Sequence, residues 1–197
     1  MGAAPMGRSR FISEAIAKTC LLGLALGTFF SSAYGQAPAN LEYRVKAEIL
    51  YNIARFVEWP AGALAVGSPV TFCVLGADPF GPVLDDALRG KRIGNRPIVL
   101  NRYRELEQAG ACQVLFIGAS ESGRVDQIIG NLGTRNTLTV SEAPHFAERG
   151  GMIDFILDRG RVRFEVNVSA TERAGLRISS QVLELARMVK PRAEGRE

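Results

Sequence analysis

The sequence predicts an α/β protein with a central, largely parallel sheet flanked by helices, followed by a C-terminal hairpin and a closing helix. Three observations lead to this class. Strand-like apolar runs alternate with helix-like stretches, which is typical of βαβ units. Residues 114–117 are apolar at every position, as in a central strand covered on both faces. Two further strand-like runs flank a short turn, as in a hairpin.

The first 35 residues have the features of a secretory signal. Arg8, Arg10 and Lys18 precede an uncharged apolar run over residues 20–30, and small residues follow it. Eleven apolar residues at about 1.5 Å each are too short for a hydrocarbon core of roughly 30 Å, which argues against a membrane anchor. We therefore expect export to the periplasm and removal of residues 1–35.

The remaining chain is long enough for one domain with its own core. We expect a flexible start over residues 36–40, a single domain over 41–190 and a charged, disordered tail over 191–197. The whole chain carries a formal net charge of +4, and two of these charges belong to the expected signal. Because the rest forms no basic stripe with interleaved aromatics, we expect no nucleic-acid partner.

Cysteine usage agrees with an oxidising compartment. Once Cys20 leaves with the signal, Cys73 and Cys112 remain, and an even pair there favours a disulfide. Both lie in strand-like runs that can be neighbours in one sheet. The alternative is a pair of buried reduced thiols. No Cys-x-x-Cys motif is present, so thiol–disulfide catalysis is not expected.

The predicted elements follow in chain order. Residues 41–57 form an amphipathic helix, because Val45, Ile49, Ile53 and Phe56 recur at helical spacing, and Trp59-Pro60 stops it. Strands are predicted at residues 70–75, 97–100, 113–117 and 138–140, with helices at 79–88 and 123–132. Asp78 before Pro79, and Ser120 with Glu121, supply the helix starts.

The last third of the chain changes pattern. Residues 152–157 and 161–168 flank Asp158-Arg159-Gly160, and Val162, Phe164 and Val166 alternate with polar residues. Residues 178–189 then read as a closing helix, with Ser179 or Ser180 as its cap. Its buried positions are predicted to be Val182, Leu185, Ala186 and Val189.

Polar residues at two places suggest recognition rather than packing. Glu165 and Asn167 share one face of the second hairpin strand, and Arg177 follows where the chain turns back. Arg55 and Trp59 lie at the end of the first helix. Each group also has a structural reading, as a solvated hairpin face and as core plus helix cap. We expect no metal and no cofactor, because the single histidine and two cysteines leave too few ligands.

Two other classes of function compete with a recognition protein. A serine hydrolase would have to combine Ser141 or Ser120 with His145, without a Gly-x-Ser-x-Gly motif. A small-molecule binding protein could use Trp59 for stacking and Arg177 for a carboxylate.

Several segments, in order along nearly the whole mature chain, resemble the YfiR-like family of periplasmic proteins. They are Phe56-Val57-Glu58-Trp59-Pro60, residues 73–81, 112–117 with Ser120-Glu121, 138–142, 146–153, 163–167 and 174–180. The resemblance implies a non-enzymatic repressor that binds the periplasmic sensor part of an inner-membrane diguanylate cyclase. Cyclic di-GMP synthesis, and with it biofilm formation, would rise on release.

The resemblance also implies an OmpA-like outer-membrane lipoprotein as a second partner and redox control through disulfides. This chain departs from the family because it has cysteines for one bridge only, so a second family disulfide is missing. The resemblance therefore still implies a structural bridge here, but it does not imply redox switching. On the resemblance and the residues together, Glu165, Asn167, Arg177, Arg55 and Trp59 are the candidate partner-binding or ligand-binding residues. A homodimer is left open.

Overall fold

The computed structural model describes residues 36–109 and 112–190. The predicted signal over residues 1–35 and the predicted tail over 191–197 lie outside the described residues. No helix within the described ranges is both long and apolar enough to cross a membrane.

The protein is built on one large sheet and a small antiparallel ribbon. In chain order the described elements are α1 Gln36–Arg55, β1 Val57–Glu58, β2 Val70–Leu75, α2 Pro82–Leu88, β3 Arg92–Ile93, β4 Arg96–Tyr103, β5 Val114–Ile117, α3 Val125–Leu132, β6 Leu138–Ser141, β7 Ile153–Asp158, β8 Arg161–Val166, α4 Val168–Arg173, β9 Arg177–Ile178, α5 Ser180–Leu183 and β10 Arg187–Met188, with 3-10 turns at Leu106–Gln108 and Ala119–Arg124. The eight-stranded sheet has the order β10-β8-β7-β6-β5-β2-β4-β3, and β1 pairs with β9.

The sheet is mostly parallel, as predicted. Only β7 with β8 and β3 with β4 run antiparallel within it. Two neighbouring parallel strands must be joined by a crossover connection. Helix α2 lies in the connection from β2 to β4, and helix α3 lies in the connection from β5 to β6. The predicted α/β class is therefore confirmed.

Strand β5 divides the core into two layers. Val114 and Phe116 join the larger cluster, which includes the buried residues of α1 and α2. Leu115 and Ile117 join a second cluster with α3 and Phe146. The continuous apolar run therefore marks a strand covered on both faces, as its sequence indicated.

Helix α1 differs from its prediction in length and in phase. It includes residues 36–40, which we expected to be flexible, and it ends at Arg55 rather than at residue 57. A proline in the first turn, at position 38, is tolerated because the N–H it lacks would have no helical partner there. The buried face contains Ala47, Leu50, Ile53 and Ala54, so of the predicted stripe Ile53 is buried, whereas Val45 and Phe56 are exposed.

The shift in phase has a polar cause. Lys46 is buried because its Nζ lies 2.5 Å from Glu42 Oε1 and 2.5 Å from Glu142 Oε2, beyond the end of β6. Tyr43 donates a hydrogen bond to the same Glu142 carboxylate at 3.1 Å. The face of α1 that carries Lys46 therefore turns toward the sheet.

The predicted helix starts are corrected by the structure. Asp78 does not cap α2, whose first residue is Pro82 and whose cap position is Gly81. Instead, the Asp78 carboxylate accepts hydrogen bonds from the backbone N–H of Phe80 and from Arg102 Nε. Ser120 lies inside a 3-10 turn, where its Oγ accepts a hydrogen bond from the N–H of Ala77. Both side chains fasten the loops beside the strands.

The predicted hairpin is confirmed, but the long closing helix is wrong. Arg159 and Gly160 have φ angles of 49° and 75°, which suit the two-residue turn between β7 and β8. Ser179 caps a helix of only one turn, α5, by accepting a hydrogen bond from the N–H of Gln181. Beyond it, β10 pairs with β8, and Leu185 is 73% exposed rather than buried. Residues 178–189 have helical spacing, but the end of this segment pairs with the open edge of β8 instead of continuing the helix.

A disulfide joins Cys73 in β2 to Cys112, with 6.0 Å between the two Cα atoms. Cys112 precedes β5, the parallel neighbour of β2. The bridge therefore ties two adjacent central strands, and the pairing predicted from the cysteine count is confirmed.

We predict that removing this disulfide lowers the stability of the protein but leaves its fold unchanged. The bonded cysteines are 39 residues apart, for which the chain-entropy estimate is about 4 kcal/mol. The double variant Cys73→Ser/Cys112→Ser leaves no free thiol and should lose about 2–4 kcal/mol in the free energy of unfolding measured in urea. Equal stability of the variant and the oxidised wild type would contradict this, as would alkylation of both wild-type cysteines without reductant.

Candidate interaction site

The serine and histidine groups that a hydrolase would need are not assembled. Ser141 Oγ is buried, donating to the carbonyl of Ile117 at 2.7 Å and accepting from the N–H of Ala143 at 3.0 Å. His145 is exposed, and its Nδ1 lies 3.4 Å from Glu148 Oε1. Within the described residues neither Ser141 nor Ser120 is hydrogen bonded to His145. Both hydroxyls instead hold backbone groups in place.

Glu165 lies in β8 and has a buried carboxylate partner that the sequence analysis missed. Across the hairpin, Asp154 of β7 is the register partner of Glu165, so the two carboxyl groups share one face of the sheet. Both residues are buried. On the other side, Arg187 of β10 approaches Glu165, with 3.2 Å between Nη1 and Oε1. Glu165 therefore has an ion-pair partner within the fold, Arg187, which its place in the sequence did not indicate.

The pKa of Asp154 is raised to about 7. Burial is the main cause, and the neighbouring charge of Glu165 adds to it, while the backbone N–H groups of Phe146 and Ala147 and the charge of His145 oppose it. Asp154 therefore keeps its proton to a higher pH than an ordinary aspartate. An acidic residue inside the apolar run over residues 152–157 was the available sequence signal for this site.

Asn167 has a structural role in this part of the fold. Its Oδ1 accepts from the N–H of Ala170 at the start of α4, and its Nδ2 donates to the carbonyl of Ala147. The side chain is fully buried. Asn167 therefore ties the loop before β7 to the helix after β8 and does not present its amide to a partner.

The remaining candidates lie around the β1–β9 ribbon, which pairs Glu58 with Arg177 and Val57 with Ile178. Arg55, Glu58 and Arg177 are exposed, and Phe56 is 37% exposed. The guanidinium of Arg55 lies 5.6 Å from the ring centroids of both Tyr51 and Phe56. The ribbon and the adjoining end of α1 therefore present two cations, the carboxylate of Glu58 and an aromatic ring to solvent.

Trp59 follows the ribbon and is half-buried against the larger core cluster. Its Nε1 atom is buried, and it has no hydrogen-bond partner among the described residues. A buried indole N–H usually finds an acceptor, so this donor is unusual among the described residues.

The five candidates thus form two separate groups. Arg55, Trp59 and Arg177 come together on the ribbon and its flanks. Glu165 and Asn167 belong to the hairpin and its connection to α4, inside the fold. The predicted joint surface of Glu165 and Arg177 is not formed by contact, because Glu165 pairs with Arg187 and Arg177 lies in the other sheet.

The fold and these groups define a mixed α/β domain with exposed polar groups around the β1–β9 ribbon. In the described ranges no group of acidic, histidine or cysteine residues has the arrangement of a metal site. A model of the family described as YfiR/HmsC-like matches residues 43–187 of the chain. The protein therefore belongs to the YfiR/HmsC-like family.

We predict that Asp154 makes stability fall as the pH rises. Below its ordinary pKa of 3.8 both the folded and the unfolded states are protonated. Between that value and about 7 the unfolded state ionises first, so folding becomes less favourable across this window. The loss is of the order of 4 kcal/mol for a rise of about three units.

Asp154→Asn is neutral at every pH and should flatten this dependence. Unfolding in urea should show it to be more stable than wild type at pH 8 and little changed at pH 4. Asp158→Asn, at the exposed end of the same strand, is the matched control and should keep the wild-type slope. The same fall in stability with Asp154→Asn would show that the carboxyl of Asp154 is not its source.

Proposed function

We propose that the protein is a periplasmic repressor that binds the sensor part of an inner-membrane diguanylate cyclase and lowers cyclic di-GMP synthesis. Membership of the YfiR/HmsC-like family supports a regulatory role, since the family is known for periplasmic regulators of such cyclases. The signal-like segment over residues 1–35 supports export. An OmpA-like lipoprotein that sequesters the repressor is the second partner we propose.

The observation that carries the proposal is the exposed β1–β9 ribbon. Arg55 presents its guanidinium beside the partly exposed ring of Phe56, and the exposed Arg177 lies opposite Glu58 in the ribbon. Arginine and aromatic side chains are enriched where protein interfaces are strongest. A partner with acidic groups around an apolar centre fits this surface.

A second candidate function is capture of a small ligand beside Trp59. The unpartnered Nε1 of Trp59 favours a ligand with a hydrogen-bond acceptor next to a flat ring. Such a ligand would raise the melting temperature by an amount that grows with the logarithm of its concentration above its Kd. Trp59→Phe keeps the ring and loses the donor, so it should reduce that rise.

We predict that Arg177→Glu releases cyclase activity in cells while the purified variant melts like wild type. Arg177 is exposed, so reversing its charge alters the surface and not the core. Arg104→Glu is the matched control, because Arg104 is also exposed but lies outside the ribbon. Cellular cyclic di-GMP should rise with the first variant only. Continued repression by folded Arg177→Glu would remove the ribbon as the repressing surface.

We expect a different result from Glu165→Lys. Glu165 is buried between Asp154 and Arg187, so the variant places a second cation beside Arg187. Its loss of repression should accompany a loss of roughly 3–5 kcal/mol in stability. A melting scan separates the two causes, because only Arg177→Glu should lose repression at an unchanged melting temperature.

We also predict that His145→Ala keeps folding and repression. The His145 side chain is exposed, and no described serine hydroxyl is bonded to it. A hydrolytic activity of the purified protein that disappears with this change would contradict the non-enzymatic proposal.

A further inference from the structure

Strand β8 has a partly open edge. Within the described residues, β10 pairs only with Glu165 and Val166 of β8. β7 pairs with β8 along its whole length. Residues 161–163 therefore have a strand partner on one side only, while the carbonyl of Phe164 accepts the N–H of Arg187 as the parallel register requires.

The register shows which backbone groups face that open side. The two-residue turn at Arg159 and Gly160 makes Asp158 and Arg161 a hydrogen-bonded pair, and bonded and non-bonded pairs alternate from there. The backbone groups of Val162, Phe164 and Val166 then face away from β7. The carbonyl of Val166 does accept a hydrogen bond from the N–H of Val189 at 3.0 Å, as this alternation requires.

A groove runs along this edge. Its volume is about 500 Å³, and it lies between the β7–β8 hairpin and residues 185–187. Ile156, Leu157, Phe164 and Leu185 supply its apolar lining. Leu157 is 56% exposed, so apolar surface is left uncovered beside free backbone donors and acceptors.

The rim of the groove is strongly basic. Arg159, Arg161 and Arg163 line an adjoining depression of about 280 Å³, together with Asp158. Arg187 lines the groove itself and is the one of the four arginines with an ion pair in the described part of the chain, to Glu165. The local charge is thus positive, which attracts an acidic partner.

We propose that this edge docks an extended, acidic segment of a partner protein, which adds a short strand to β8. The backbone of the segment would pair with the N–H and carbonyl of Val162 and with the N–H of Phe164, and its carboxylates would meet Arg161 and Arg163. A second copy of the chain fits less well, because antiparallel pairing of two β8 strands would bring their arginines together. A membrane surface would satisfy the charges but not the backbone groups in the groove.

The test uses the full chain labelled with ¹⁵N and a seven-residue peptide of alternating glutamate and valine. At about ten times its Kd, the peptide should slow hydrogen exchange at the N–H groups of Val162 and Phe164 by about tenfold. The N–H groups of Arg161 and Arg163 already bond to β7 and should change little. A lysine–valine peptide of the same length should give no protection.

Matched variants give the second readout. Arg161→Glu/Arg163→Glu should weaken binding of the acidic peptide about tenfold or more at an unchanged melting temperature. The control Arg44→Glu/Arg104→Glu reverses two exposed arginines away from the groove and should bind like wild type. Arg161 and Arg163 are not part of the β1–β9 ribbon, so the experiments can contradict this proposal without contradicting the proposal for the ribbon, and the reverse.

Three results would overturn the inference. The first is unchanged exchange at Val162 and Phe164 with a saturating acidic peptide. The second is equal protection by the lysine peptide. The third is binding to phosphatidylglycerol vesicles that depends on Arg161 and Arg163, without protection by the acidic peptide, which would identify a membrane surface instead.

Discussion

The double-sided burial of β5 is the constraint on which the rest of the fold depends. Val114, Leu115, Phe116 and Ile117 are all within 1% of complete burial. Their side chains alternate between the two core clusters, so this one strand takes part in both layers. Burial of such side chains contributes about 1.5–3 kcal/mol each. A register slip of one residue would exchange the two faces, so the pairing with β2 and β6 is strongly specified.

Ion pairs then fix the orientation of helices α1 and α2, which apolar packing alone does not determine. Burial alone would lower the pKa of Lys46, but hydrogen bonds to Glu142 and Glu42 outweigh it and raise that pKa. Lys46 therefore stays charged and holds α1 against the end of β6. Arg102 similarly joins the loop at Asp78 to Asp85 of α2. Such buried or shared pairs set the orientation of a helix more than they add to its stability.

The same logic separates structural from exposed polar groups near the C-terminus. Glu165 and Asn167 are polar and clustered, yet the structure uses both internally, for an ion pair and for a helix cap. Arg177 and the arginines of the hairpin tip remain at the surface. Residues that bind a partner are therefore expected among exposed side chains that make no structural contact inside the fold. The β1–β9 ribbon and the open edge of β8 both contain such residues.

Much of the architecture could be predicted from local sequence. The strand at residues 70–75, the buried run at 114–117 and the hairpin around Asp158-Arg159-Gly160 each have a local pattern that favours the structure observed. The disulfide followed from compartment and cysteine count, as the pairing of Cys73 with Cys112 confirms. These features depend on periodicity, turn chemistry and composition, which are properties of short segments.

Other features were decided only by the tertiary structure. Residues 178–189 have helical spacing, but Arg187 and Met188 pair with β8 because an open strand edge lies within reach. Helix α1 turns Lys46 inward because Glu142, nearly a hundred residues further along the chain, provides its counter-charge. The neighbours of Glu165 could not be predicted from the sequence, because Arg187 and Asp154 come beside it only in the folded sheet. Sequence patterns report how a segment buries its own side chains, whereas pairing between distant segments depends on where the chain brings them together.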